Sequence, residues 1–238
     1  MINRIFRYLN NLWVRRSSES LLNFYRKKGC KIGKGTVAFY PRDLVIDYSR
    51  PSLIEIGSNV FLHKGVTLLT HDFASWTLLR TYGEFFPSSG KIIIGNNVWF
   101  GYNCTVLKGV TIGNNCIIGI GSIVTKDIPD NTVAIGAPAK VVCSLDEYLI
   151  KRKREYMQES ITYARSIKDR FGREPVITDF TAEDYICFVD GSNHHEYPMI
   201  QFDTIFKDGY FEKWKINHKA PYNGFDEFMS AVKGGENE

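Results

Sequence analysis

The sequence predicts an all-β coil whose flat sides are each about six residues long. Large apolar residues recur at every sixth position, with no polar residue among them, at Ile94, Phe100, Val106, Ile112, Ile118 and Val124. A small or β-branched residue follows four positions after each of the first five, namely Val98, Cys104, Val110, Cys116 and Ser122. An α-helix repeats about every 3.6 residues and a single strand about every 2, so neither explains this period.

Glycine marks the turns between these sides. It directly follows four of the large apolar positions, at Gly95, Gly101, Gly113 and Gly119. Because glycine has no Cβ, it leaves room where the chain turns closely past its neighbour. The same spacing occurs earlier at Ile56, Leu62 and Leu68, with Val60 and Val66 at the second position. We expect Ile32 and Gly33 to begin the first coil.

An insertion separates the two blocks of repeats. Ile56 and Ile94 are 38 residues apart, which is six sixes plus two. Residues 71–91, HDFASWTLLRTYGEFFPSSGK, break the rhythm and are rich in aromatic side chains. A loop of this length inside a compact repeat is uncommon unless it has a function. We therefore expect residues 71–91 to contribute to a functional site.

A helix is predicted before the coil, over residues 17–29. Ser17 or Ser18 is the candidate N-cap, and Gly29 follows a basic last turn. Its apolar residues are Leu21, Leu22 and Tyr25. This apolar face predicts that the helix covers the open bottom of the coil.

A longer helix is predicted after the coil, from a cap at Ser144 to Gly172. The remaining segment is rich in Tyr, Phe and Trp, and it reads as short helices broken at Pro175, Pro198 and Pro221. The predicted domains are an N-terminal helical segment at 1–29, the coil at 30–142, and a helical extension at 143–238.

Length and composition exclude several classes of protein. A chain of 238 residues can bury a core without disulfides. The cysteines are odd in number, scattered and without a CxxC pair, which argues against a disulfide framework or a cysteine zinc site. No apolar run approaches the roughly 18 residues of a membrane span, and the start lacks the features of a signal peptide. We expect a cytoplasmic protein.

Positive charge is concentrated at the N-terminus. Residues 1–34 hold nine basic residues and one acidic residue, a net +8, so the other 204 residues carry −4 of the whole-chain +4. Residues 1–16 place apolar residues at helical spacing, with arginines elsewhere on the circumference. Such a helix can lie on an anionic membrane, here the inner membrane surface, or its apolar face can pack on the coil base or on neighbouring subunits. We expect no nucleic-acid partner.

Residues 92–142 closely resemble the hexapeptide-repeat acetyltransferases of the galactoside, maltose and capsular-polysaccharide O-acetyltransferase type. The motifs that carry the resemblance are the repeat itself together with NVWFG, VTKDIP and GAPAK. The resemblance covers roughly residues 30–142. It implies a left-handed parallel β-helix, a homotrimer, and transfer of an acetyl group from acetyl-CoA to a sugar hydroxyl in cell-surface polysaccharide biosynthesis. It implies no metal.

His71 stands in VTLLTHD, where the related acetyltransferases place their catalytic histidine. Attack of a hydroxyl on a thioester needs one general base, and imidazole has a suitable pKa. A carboxylate or carbonyl must then hold the ring in the right tautomer. Glu84 resembles the loop glutamate of the family and is the candidate for orienting the base or binding the acceptor.

Three further residues are candidates for binding the saccharide acceptor. Asp72 follows His71 where several relatives carry proline, which leaves its role open. His63 follows an inward leucine, where glycine recurs in other coils, and the alternative is that it is only a corner residue. Asp47 is a weaker candidate.

The resemblance also implies the residues that bind acetyl-CoA. Near the thioester they are Trp99, Gly101 and Tyr102; along the pantetheine arm, Gly119 and Ile120; and at the nucleotide, Thr125, Lys126 and Lys140. Gly101 and Gly119 are also explained as coil corners. Cys143 stands where a relative carries a further arginine, so one phosphate contact is expected to be missing.

Several other functions compete with this one. The same fold can acetylate the nitrogen of an amino sugar or acylate an antibiotic. A β-helical carbonic anhydrase needs three histidine ligands, and only His63 and His71 lie in the coil. A non-catalytic β-helix scaffold would not need His71, Trp99 and Lys126. The adjacent His194 and His195 are more typical of an exposed loop than of a metal site, and Cys104 and Cys116 of packed thiols.

Overall fold

Three parallel sheets form the sides of a coil in the computed structural model, which describes residues 13–202 and 209–234. The first sheet contains β1 (Lys31–Ile32), β4 (Ile54–Ile56), β9 (Ile92–Ile94) and β12 (Thr111–Ile112). The second contains β2 (Val37–Ala38), β5 (Phe61–Leu62), β10 (Trp99–Phe100), β13 (Ile117–Ile118), β15 (Thr132–Ile135) and β16 (Lys140–Ser144). The third contains β3 (Val45–Ile46), β6 (Thr67–Leu68), β11 (Thr105–Val106) and β14 (Ile123–Val124). The chain visits the three sheets in turn, so the fold is a parallel β-helix.

The strand register confirms the six-residue pattern. Ile94 pairs with Ile56 and Ile112, and Phe100 pairs with Leu62 and Ile118. All the predicted inward positions from Ile94 to Val124 are at most 1% exposed, including the second position of each repeat. Burial of this continuous apolar column stabilises the coil, since each large side chain contributes about 1.5–3 kcal/mol when removed from water.

The corners of the coil are held by glycine and asparagine. A Cβ on Gly95 would lie 2.7 Å from the carbonyl carbon of Gly113 in the next coil, so no larger residue fits there. Asn97, Asn115 and Asn131 adopt left-handed backbone angles and form a ladder along one edge. The Asn97 Nδ2 donates to the Asn115 Oδ1 at 2.9 Å, and the Asn115 Nδ2 donates to the Asn131 Oδ1 at 2.8 Å. Asparagine tolerates this conformation better than most residues.

The helix before the coil, α1, spans Ser18–Lys28. The backbone amide of Ser20 donates to the Ser17 Oγ at 3.2 Å, and Gly29 ends the helix with a φ of 107°. The buried face belongs to the same apolar core as the coil, and its members are Leu21, Leu22 and Tyr25.

The N-terminal segment, residues 1–16, for which membrane binding and packing on the coil or on neighbouring subunits were alternatives, lies mostly outside the described part of the chain, which begins at Trp13. Arg15 donates hydrogen bonds to the backbone oxygens of Pro41, Arg42 and Leu44 at 2.9–3.0 Å. Val14 packs against the coil core. Within the described residues, no helix is long and apolar enough to cross a membrane.

The coil ends differently from its repeats. The last strand, β16, reverses direction and pairs antiparallel with β15. The helix that follows is α3 (Leu145–Phe171); the helix α2 (Ser75–Tyr82) lies earlier in the chain, in the insertion. A reciprocal pair of hydrogen bonds caps its start, because the Glu147 amide donates to the Ser144 Oγ at 3.1 Å and the Ser144 amide donates to the Glu147 carboxylate at 2.7 Å. Gly172 follows the helix with a φ of 62°.

The chain divides into two compact units, Met1–Leu149 and Ile150–Glu238. The second unit has its own aromatic core, in which Phe180, Phe188 and Phe228 are fully buried. After α3, the described residues of this unit form three 3-10 turns and the helices α4 and α5: Ile177–Phe180, Asp184–Cys187, His194–Glu196, α4 (Tyr210–Asn217) and α5 (Phe225–Gly234). The sequence predicted short helices in this segment, and the structure has both 3-10 turns and short helices there.

Candidate active site

His71 and Asp47 form a hydrogen-bonded pair at the edge of the coil. The His71 Nδ1 lies 2.5 Å from the Asp47 Oδ2, and the two side chains are only 13% and 11% exposed. An ionised carboxylate can only accept hydrogen bonds, so the proton lies on the His71 Nδ1. In the neutral imidazole the Nε2 then carries the lone pair that a general base requires.

Strand register brings Asp47 to His71. β3 pairs with β6, with Ile46 opposite Leu68, and Asp47 and His71 follow these strands at the same edge of the third sheet. The Asp47 amide donates to the Leu68 oxygen at 3.0 Å, which continues the ladder past the strand ends. The pair is therefore positioned by the coil backbone and not by a flexible loop.

Neighbouring hydroxyls hold the Asp47 carboxylate in its ionised form. The Ser49 Oγ donates to the Oδ1 at 2.7 Å, and the Thr70 hydroxyl and backbone amide both donate to the Oδ2. Burial raises the pKa of the Asp47 carboxyl, but these hydrogen bonds together with the one from His71 outweigh it and hold the pKa well below its usual range.

The low pKa of Asp47 predicts an acid-sensitive contribution to stability. The pKa of an aspartate in an unfolded chain is about 3.9. Asp47 therefore stabilises the fold above that pH, and this contribution is lost as the pH falls towards the lower pKa of the folded state. We expect Asp47→Asn to lower the free energy of unfolding by about 1–3 kcal/mol at pH 7 and by less at pH 3. Urea unfolding at the two pH values measures this. The exposed Asp43 provides the control Asp43→Asn, and an Asp47→Asn deficit that is equal at both pH values contradicts the assignment.

The insertion after His71 is a folded element. The short strands β7 (His71–Asp72) and β8 (Ser88–Ser89) pair antiparallel, and the helix α2 (Ser75–Tyr82) lies between them. The Gly90 amide donates to the Thr70 oxygen at 2.9 Å, and the Ser75 hydroxyl donates to the Phe86 oxygen. The sequence predicted only a loop here. The helix has only eight residues, and its N-cap residue, Ala74, offers no side-chain cap, so the sequence carries no clear helix start signal there.

Asp72 and Glu84 occupy different environments in the insertion. The Asp72 carboxylate forms an ion pair with Lys108 and accepts from the Ala74 amide at 3.0 Å, so it fixes the start of the insertion. Glu84 is exposed, and in the described part of the chain it forms no hydrogen bond or ion pair. The partner of His71 is thus Asp47, where the sequence had favoured Glu84.

His63 lies among aromatic side chains and contacts two of the residues predicted to bind acetyl-CoA. Its ring stacks on Phe39 at 4.8 Å and approaches the rings of Tyr102 and Trp99 at 4.5 and 5.8 Å. Tyr40 completes the cluster, and its hydroxyl lies 3.3 Å from that of Tyr102. The His63 Nδ1 is buried and has no hydrogen-bond partner within the described residues.

The residues predicted to bind acetyl-CoA fall into two groups. Trp99 is in β10, and Gly101, Tyr102, Gly119 and Ile120 lie in the turns that enter the third sheet. Thr125 and Lys126 directly follow β14, at the edge where His71 leaves that sheet, and Lys140 begins β16. Within one chain, Tyr102 and His71 thus lie at opposite ends of the third-sheet strands.

Several of these residues are accessible in the described chain. Ile120 is 68% exposed, and Thr125, Lys126 and Lys140 are exposed. Neither lysine forms an ion pair with another described residue, so both are available to an anionic ligand. A Cβ on Gly101 would lie 2.8 Å from the Ile120 backbone nitrogen, so this glycine is required by the coil itself.

The thiols and the remaining histidines belong to structural or surface positions. Cys104 and Cys116 are buried in the coil core, and burial raises the pKa of both thiols. The His194 Nδ1 lies 3.1 Å from the Gly191 oxygen, while His195 is exposed. In residues 13–202 and 209–234, no group of three His, Cys, Asp or Glu side chains is arranged to hold a metal ion.

Known proteins share the coil and its motifs. The family model "Hexapeptide repeat of succinyl-transferase" matches residues 91–126. Galactoside O-acetyltransferase of Escherichia coli K12 is 39% identical over 137 residues, which are 58% of this chain and 63% of that protein. Protein CapG of Staphylococcus aureus is 38% identical over 152 residues, which are 60% of this chain and 87% of CapG. The chain belongs to the hexapeptide-repeat acetyltransferase family. A solved maltose O-acetyltransferase from Clostridium difficile 630 is 29% identical and has a TM-score of 0.38, over 53% of this chain and 75% of that one.

Resemblance to the hexapeptide-repeat acetyltransferases identified His71 in the sequence, but it did not single out the partner of this residue. Asp47 had been considered only as a weak acceptor-binding candidate. The position of Asp47 near His71 follows from the strand register, because Ile46 pairs with Leu68 and Asp47 therefore lies beside Leu69. Ile46 comes eight positions after Ala38, however, whereas the repeat advances by six. The six-residue period alone therefore does not align Ile46 with Leu68.

Proposed function

We propose that the chain is an O-acetyltransferase that moves the acetyl group of acetyl-CoA to a hydroxyl of a saccharide. The observation that carries the proposal is the His71–Asp47 pair, held by the coil with the Nδ1 of His71 on the Asp47 carboxylate. Membership of the hexapeptide-repeat acetyltransferase family supports the reaction class. The names of the galactoside and maltose O-acetyltransferases support a saccharide acceptor. We place the acceptor in cell-surface polysaccharide biosynthesis.

The proposed mechanism needs one base and no covalent enzyme intermediate. The His71 Nε2 removes the proton of the acceptor hydroxyl as the hydroxyl oxygen attacks the thioester carbonyl carbon. Asp47 stabilises the imidazolium that forms, because its ionised carboxylate accepts from the Nδ1. The imidazolium then returns the proton to the departing CoA sulfur as the carbon–sulfur bond breaks.

The exposed lysines fit the nucleotide end of acetyl-CoA. We assign Lys126 and Lys140 to its phosphates, with Thr125 beside them, because phosphates bind preferentially to unpaired cationic side chains. Trp99, Gly101, Tyr102, Gly119 and Ile120 are assigned to the thioester and the pantetheine arm. All five cysteines are unpaired, which supports a reducing, cytoplasmic compartment.

We propose in addition that the coil winds left-handed and assembles as a homotrimer. Tyr102 and His71 lie at opposite ends of the third-sheet strands in one chain. A single subunit therefore carries the acetyl-CoA residue Tyr102 and the base His71 on two different edges of the coil. Packing the His71 edge of one subunit against the Tyr102 edge of the next would complete the site. We propose three functional segments, at 1–29, 30–142 and 143–238.

Product analysis tests the proposed function. Protein, radiolabelled acetyl-CoA and a panel of methyl β-D-galactopyranoside, maltose and glucosamine are incubated, and the products are identified by mass spectrometry and NMR. We expect an acetyl ester on a saccharide oxygen. Acetylation of the glucosamine nitrogen alone supports instead the alternative of an amino-sugar N-acetyltransferase. Lack of any turnover, together with lack of CoA binding, supports a non-catalytic scaffold.

Subunit mixing tests the shared site. A mixed trimer of His71→Ala and Trp99→Ala subunits contains interfaces at which an intact His71 edge meets an intact Trp99 edge, so part of the activity should return. Mixing His71→Ala with Lys126→Ala is the matched control, because both residues lie on the same edge and no interface regains a complete site. No recovery in the first mixture, with subunit exchange demonstrated, contradicts the shared site.

A further inference from the structure

Phe73 is an exposed aromatic ring in direct contact with the proposed base. Its ring centroid lies 4.9 Å from that of His71 at an interplanar angle of 82°, an edge-to-face contact. Phe73 is nevertheless 65% exposed, while the His71 side chain is 13% exposed. The ring thus presents apolar surface to solvent beside the His71 imidazole.

The backbone on both sides of Phe73 is fixed. Asp72 on one side pairs with Ser88 in the hairpin, forms the ion pair with Lys108, and accepts from the Ala74 amide at 3.0 Å. On the other side, the Trp76 amide donates to the Phe73 oxygen at 3.0 Å as α2 begins. Burial of its own ring does not hold Phe73 in place, since two thirds of the residue is accessible. Its neighbours hold it, and they keep the ring beside His71.

A second exposed aromatic pair lies in the same insertion. Trp76 and Phe85 contact each other edge-to-face with centroids 5.7 Å apart, and they are 51% and 47% exposed. Small-molecule sites combine such aromatic surfaces with a few polar groups that fix orientation. Here the polar group is the His71 imidazole, and the aromatic ring in contact with that imidazole is Phe73.

We propose that Phe73 is the acceptor platform of this enzyme. A pyranose ring has a face of C–H bonds with no hydroxyl pointing from it, and such a face packs on an aromatic ring while the equatorial hydroxyls point outward. A saccharide packed in this way on Phe73 places one of these hydroxyls next to the His71 Nε2. The inference rests on the proposed function, and it makes Phe73 a specificity-determining residue for cyclic saccharides.

Steady-state kinetics of Phe73→Leu test the platform, with methyl β-D-galactopyranoside as the acceptor. Leucine keeps apolar bulk but removes the flat ring. We expect the KM for the galactoside to rise about tenfold, which corresponds to the loss of one aromatic stacking contact, while kcat and the KM for acetyl-CoA stay within about twofold. Phe73→Tyr keeps the ring and should restore the wild-type KM. With the open-chain polyol galactitol, which has no ring face, Phe73→Leu and the wild type should have the same kcat/KM.

Phe86→Leu is the matched control. Phe86 lies in the same insertion and is 58% exposed, and its side chain makes no ring contact with His71 in the described structure. The inference is overturned if this control raises the galactoside KM as much as Phe73→Leu does. A change in kcat and in its pH profile at an unchanged galactoside KM also overturns it, because Phe73 would then act only by packing on His71. Loss of the trimer in Phe73→Leu, seen by sedimentation, would show that the ring packs on a second subunit instead.

The outcome for the wild type separates this inference from the proposed function. If the wild type acetylates no saccharide of the panel, the proposed function fails, and the platform fails with it. If the wild type acetylates the galactoside and Phe73→Leu retains its KM, only the platform is wrong.

Discussion

Replacing His71 with alanine should lower kcat for acetyl transfer by about 10²- to 10⁴-fold, the usual contribution of a general base. This range corresponds to about 3–5 kcal/mol of activation free energy. The His71 ring is not part of the apolar core of the coil, so the variant should fold and assemble as the wild type does. Initial rates with radiolabelled acetyl-CoA measure the loss, and far-UV circular dichroism verifies the fold.

His195→Ala is the control for the loss of a histidine. His195 is exposed in the second unit of the chain, and its substitution should leave kcat unchanged. A His71→Ala variant that retains more than about half of the wild-type activity would falsify the assignment of His71 as the base.

Replacing Asp47 with asparagine should lower kcat by about 10²- to 10³-fold while the acceptor KM changes little. The amide has the same shape but no charge, and it can hydrogen-bond to either tautomer of His71. It therefore neither fixes the proton on the Nδ1 nor stabilises the imidazolium. The corresponding change in a Ser-His-Asp triad costs about 10⁴-fold, and we expect less here because no nucleophilic side chain must also be activated.

Ser49→Ala is the matched control for Asp47→Asn. Ser49 donates to the same carboxylate, but its Oγ lies 3.5 Å from the His71 Nδ1 and does not replace Asp47 there. We expect less than about tenfold loss of kcat from this variant. If Asp47→Asn mainly raises the acceptor KM and leaves kcat unchanged, Asp47 binds the acceptor and does not orient the base.

The coil was predictable because its pattern is local. Each inward position follows the previous one by six residues, and burial of residues such as Phe100 and Ile118 depends only on this spacing. Both helix caps at Ser17 and Ser144 were predictable for the same reason, since an N-cap and the amide it accepts from lie within one turn.

The candidate site was only partly predictable because it depends on contacts between coils. Asp47 lies 24 residues before His71, and the extra residues between Ala38 and Ile46 hide their alignment. The contact of His63 with Tyr102 likewise joins successive coils and has no local signature. The helix α2 was not predicted because it has only eight residues and because its N-cap residue, Ala74, offers no side-chain cap.

The most direct test of the central claim is kcat of the double variant His71→Ala/Asp47→Asn, measured beside the two single variants and the wild type. If Asp47 acts only through His71, its charge has no further effect once the imidazole is gone, because residues that act as a unit are strongly non-additive. The account predicts that the double variant turns over as fast as His71→Ala alone. A double variant slower than His71→Ala by the full factor measured for Asp47→Asn contradicts it, since the two residues would then act independently.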